Sequence, residues 1–174
     1  MNSLIKTTDL LNIAFGWIAG VFMAVATLAV LAQVFIRFFL PLIGIAVSAP
    51  WTEEVARYLM IWVVFLGVAV LCRSFRMIAV EMVVVSVPAK AGITLRLLAV
   101  AICIMFFLVV AIVGFGWTSM SGIEFSPVMR IPMTWVYMAM PVGALVAIFN
   151  LLIFTAEILT GRRQNVEPTA EIMD

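Results

Sequence analysis

The chain has 174 residues, 66% of them hydrophobic and 11% charged, with a mean hydropathy of +1.27. That composition lacks the polar residues needed to cover a water-soluble globule, so the sequence reads as an integral membrane protein. The net charge of +1 is not the concentrated basic face that nucleic acid needs, and the absence of His excludes His-ligated haem, His-based zinc sites and Ser-His-Asp triads.

In chain order, the uncharged run from residue 10 to residue 36 is the first candidate span. It exceeds the roughly 20 residues a helix needs to cross hydrocarbon. It also outruns the core of a secretory signal, so an uncleaved first helix is expected. Gly16, Gly20 and Ala24 recur at four-residue spacing along it and mark a candidate packing face. Arg37 closes the run. Residues 38–50 follow as an apolar turn punctuated by Pro41, Gly44 and Pro50.

The second span is predicted over 51–72. Trp51 is its interfacial anchor, and Glu53, Glu54 and Arg57 lie in its first two turns. Glu53 and Arg57 are four apart and Glu54 and Arg57 three apart, so both pairings put opposite charges on one face. The cluster reads either as a self-satisfied cap or as a docking site for a partner chain or for Arg37. One Arg cannot fully neutralise two carboxylates.

Residues 77–88 are too short to span and are expected to lie at the interface. Within 73–90, Arg73, Arg76, Glu81 and Lys90 are candidates for contact with lipid or with a partner's inner face. The third and fourth spans are predicted over 93–117 and 133–158. Ala139, Gly143 and Ala147 mark a packing face on the fourth, and Pro141 is expected to bend it near its middle. Asn150 reads as an amide satisfied near a helix end, with an inter-helix hydrogen bond or a substrate contact as the alternative. Cys72 and Cys103 have no C-x-x-C spacing and read as small apolar packing residues. Residues 1–160 thus form one all-α domain of four spans, with 161–174 as a polar tail.

With the N-terminus inside, Lys6, Arg73, Arg76, Lys90, Arg96, Arg162 and Arg163 fall on the cytoplasmic side, against Arg37, Arg57 and Arg130 outside. The positive-inside rule therefore favours cytoplasmic termini. No Asp, Glu, Lys or Arg falls at the middle of a span, so the chain is poorly equipped to move a charged solute alone. No internal repeat, catalytic nucleophile–base pair, metal site or cofactor site is evident.

Residues 33–84 carry a pattern that resembles the small (Q-type) membrane subunit of tripartite ATP-independent periplasmic (TRAP) transporters. It comprises Arg37, then Trp51, Glu53, Glu54 and Arg57 opening the second span, Gly67, the basic turn at Arg73, and the step Ile78, Val80, Glu81. Met77 stands where His is frequent and Glu81 where Asp is frequent. The resemblance implies a bacterial or archaeal inner-membrane scaffold for a large elevator-type subunit that carries the substrate and sodium sites. It implies a periplasmic substrate-binding protein as third partner and organic acids, including dicarboxylates and sialic acid, as cargo. It implies no cofactor. Alternatives are an autonomous small channel or transporter, a cofactor-free anchor of another complex, and a generic assembly factor.

Overall fold

The computed structural model describes residues 2–44, 48–74 and 89–160. Four long helices dominate: α1 (Asn2–Phe38), α2 (Pro50–Ser74), α3 (Ala89–Met120) and α4 (Ala139–Leu159). Each belongs to a segment long and apolar enough to cross a membrane. Helix is the form lipid demands, because every backbone N–H must find its acceptor within the segment. The expected segment 77–88 and tail 161–174 lie outside the described residues.

Boundaries differ from the sequence reading in three of the spans; α3 runs over Ala89–Met120, past both ends of the predicted 93–117. α1 begins before Asp9, because that carboxylate is paired rather than left at a helix end. The fourth span is interrupted at Met138, between a one-turn helix (Thr134–Tyr137) and α4, and not at its middle. Pro141 has no N–H to offer the carbonyl one turn back, at Tyr137, so the ladder breaks there.

The helices pack in the order α1, α2, α4, α3, so the two helices nearest in sequence at the chain's end are neighbours and α1 and α3 form the edges. α4 is the most buried span and α1 the least. The core lies between α2, α3 and α4, built from Ala69, Cys72, Val100, Phe107, Ala111, Ala144, Ala147, Leu151 and Phe154. Small side chains let α4 approach both neighbours. A Cβ at Gly143 would stand 2.6 Å from Phe65 Cβ on α2, and one at Gly114 would stand 2.9 Å from Pro141 Cδ. Gly143 is therefore a true close approach, where any side chain forces the backbones apart.

α1 follows a different seam. Its buried side chains Thr8, Asn12, Ala19 and Ala26 are spaced four, seven and seven residues apart, which keeps one helix face against a neighbour. Gly16 and Gly20 lie off that seam, and a Cβ built on either meets nothing within 4 Å.

A polar ladder ties three helices at the Arg73 end. Asn12 and Asn150 exchange amide hydrogen bonds of 2.9 Å each, and Asn150 Nδ2 also donates to the Ala69 carbonyl at 2.7 Å. Asn150 is thus an inter-helix hub, not a locally satisfied amide. Toward the helix ends, Arg73 donates to both Glu157 oxygens at 3.0 and 2.6 Å and to Asp9 at 2.9 Å. Asp9 and Asn12 sit three apart on α1, Ala69 and Arg73 four apart on α2, and Asn150 and Glu157 seven apart on α4, so each pair shares a face. The charged and amide rungs therefore lie on one seam.

Asn150→Leu is expected to destabilise the purified chain by about 1–2 kcal/mol, because Asn12 is left buried without its partner. Adding Asn12→Leu should recover part of that loss in a denaturation cycle. Strictly additive losses would contradict a direct pair.

Candidate functional site

At the opposite end of α2, about 28 Å from Arg73 at helical rise, Glu54 closes the connection between α3 and α4. That connection runs through a 3-10 turn (Ser121–Ile123) into a tight loop. Ser126 N–H donates to the Ile131 carbonyl at 2.9 Å and Met133 N–H to the Glu124 carbonyl at 3.0 Å, with Phe125 and Pro132 bridged. Arg130 adopts a left-handed φ of 54°, unusual for a residue with a Cβ. The loop wraps around the Glu54 carboxylate: Val128 N–H and Met129 N–H donate to its two oxygens at 3.0 Å each, and the Ser126 hydroxyl donates as well. Three donors on one carboxylate form a charge-assisted clamp. Trp62 Nε1 adds a 3.2 Å bond to the Trp135 carbonyl, fixing the start of the fourth span to α2.

Glu54 therefore spends its charge on backbone donors, a partner type that residue identities do not reveal. Arg57 turns to the other acid, Glu53, at 2.8 Å, and both are well exposed. Trp51 is half exposed beside them. Arg37, at the end of α1, has no ion-pair partner among the described residues. It lines a cleft of about 470 Å³ together with Glu53, Gln33 and Ser48.

Arg73, a sequence candidate for lipid contact, is only 12% exposed in its side chain and is held by Glu157 and Asp9. Asp9 and Glu157 were not singled out from sequence. Helix alternation puts the start of the first span and the ends of the second and fourth on one side, which is the signal that pairs them. Arg76 and Glu81 lie outside the described residues. Lys90 falls in the first turn of α3, and its side chain is also outside them.

Of the small-residue positions, Gly143 packs within the chain. Gly16 and Gly20 instead line an open groove of about 620 Å³ on α1, with Ile13, Trp17, Val21 and Ala24.

These features define an all-helical, multi-pass membrane protein whose charged side chains sit at the ends of its spans. Residues 26–161 match the family described as tripartite ATP-independent periplasmic transporters, DctQ component. The chain belongs to that family and is a small membrane component of a TRAP transporter, a family of transporter parts rather than of enzymes. A comparison with curated proteins finds no match.

The clamp is expected to respond to loss of charge more than of shape. Glu54→Gln should speed hydrogen exchange of the Val128 and Met129 amides by about tenfold while sparing the middle of α2. Unchanged protection of those two amides would contradict the clamp.

Proposed function

We propose that this chain is the static subunit of a sodium-coupled TRAP transporter for organic acids, bracing a large elevator-type subunit supplied by a periplasmic substrate-binding protein. Membership of the DctQ family carries the reading. The physical support is the division of labour it implies. Several described charged groups at the helix ends hold this chain's own helices and loop, as Asp9, Glu54, Arg73 and Glu157 do. No charged side chain lies at mid-span to coordinate a carboxylate or sodium.

In this reading the open Gly16–Gly20 groove receives a helix of the large subunit, since small residues let membrane helices approach closely. Arg37, Trp51, Glu53 and Arg57 form the rim on the side facing the binding protein, with Glu54 stiffening the neighbouring loop. Both termini are cytoplasmic in an inner membrane, as the Lys and Arg distribution favours.

The test is reconstitution. The tagged chain should recover a large polytopic partner from native membranes in mild detergent. Proteoliposomes holding both, with the binding protein outside, should accumulate a radiolabelled organic acid from a panel of dicarboxylates and sialic acid when a sodium gradient is imposed. Uptake should vanish without this chain. Accumulation by this chain alone would overturn the scaffold reading in favour of an autonomous transporter.

A further inference from the structure

Among the described residues Arg37, like Lys6, Arg96 and Arg130, has no ion-pair partner, and it is the one of these that shares a cleft with Glu53. It stands exposed in the last turn of α1, and the two carboxylates nearest in sequence are already engaged, Glu54 by the loop and Glu53 by Arg57. Glu53 gives Arg57 only one oxygen, Oε1, and keeps Oε2. Both Arg37 and Glu53 border the same cleft, whose other polar walls are Gln33 and Ser48 and whose rigid walls are Pro41 and Pro50. A cation and an anion thus face one small volume without facing each other in an ion pair.

Next to the cleft, α1 runs into a short 3-10 turn (Leu40–Ile43) closed by Gly44 at φ 80°. Phe38, Phe39, Leu42 and Ile43 are all well exposed there, Leu42 at 80%. A cluster of bare apolar side chains beside a polar cleft, at the end of a membrane span, matches the two-part chemistry of a phospholipid at the headgroup level.

We propose that this cleft binds the headgroup of an amine-bearing phospholipid. The phosphate lies against the Arg37 guanidinium and the Gln33 amide, the ammonium against the free Glu53 oxygen, and the acyl chains run over Phe38, Phe39, Leu42 and Ile43. The guanidinium fork suits phosphate oxygens. Glu53 sets the choice of lipid: it attracts an ammonium and repels a second negative charge. The inference stands on the membrane fold and not on the transport reading.

The full chain, freed of lipid in detergent, is titrated with phosphatidylethanolamine, phosphatidylcholine and phosphatidylglycerol of matched acyl chains and followed by native mass spectrometry. Phosphatidylethanolamine is expected to bind most tightly, and Arg37→Gln to weaken it about fivefold, the worth of one basic residue at a headgroup. Glu53→Gln should erase the preference over phosphatidylglycerol. Arg130→Gln, in the neighbouring loop and outside the cleft, should leave binding unchanged and so controls for general loss of charge. Inorganic phosphate should not displace the lipid, because the apolar turn supplies the rest of the contact. Equal binding of the three lipids, or binding indifferent to Arg37→Gln, would overturn the proposal. So would absence of lipid binding combined with loss of the large partner on Arg37→Gln, which would give the cleft to a protein contact instead.

Discussion

A polar side chain inside a membrane span has no water to turn to, so its partner must come from another helix, and that requirement decides how the helices of this chain meet. Asn150 satisfies it with Asn12 on one neighbour and with the Ala69 carbonyl on another. Since both partners lie at fixed places along α1 and α2, the three helices can slide or rotate only by breaking the buried bonds together. Arg73, Glu157 and Asp9 repeat the constraint one to two turns further along. Removing one member of such a network leaves the others stranded, which is costlier than never having had them.

The Glu54 clamp acts at the other end with a different economy. Backbone N–H groups of a loop in contact with headgroups or water have ready alternatives, so the clamp contributes less to whether the chain folds than to where the loop stands. It holds Arg130 and the exposed Phe125 in one arrangement at one end of the bundle, while the ladder holds the helices at the other. Between the two ends the contact is made by small residues. Ala139, Ala144 and Ala147 are fully buried and Gly143 admits Phe65, so dispersion replaces the hydrophobic effect that lipid does not provide.

Much of this was legible in the sequence. Four long apolar stretches give four helices because the bilayer leaves no other form for them, and the four-residue spacing of Glu53 and Arg57 becomes the observed pair. What was not legible involves partners far apart in sequence. Charges mark span ends in the sequence, yet Asp9 and Arg73 meet each other across helices and α1 extends past Asp9. Glu54 finds backbone donors, which every residue carries and which sequence therefore cannot distinguish. The order α1, α2, α4, α3 depends on which small-residue face each helix turns inward. The small-residue spacing marks Gly16, Gly20 and Ala24, whereas α1 buries Ala19 and Ala26 on the face that carries Asn12.

The most direct test of a fixed scaffold is a distance across the ladder during transport. Spin labels placed by Leu28→Cys on α1 and Leu152→Cys on α4, both exposed, would be measured by double electron–electron resonance with Cys72 and Cys103 replaced by Ala. The assembled transporter would be compared with and without sodium, substrate and binding protein. The account expects the distance to hold within about 2 Å, whereas a change near the ~5 Å of a one-turn slip between helices would contradict it.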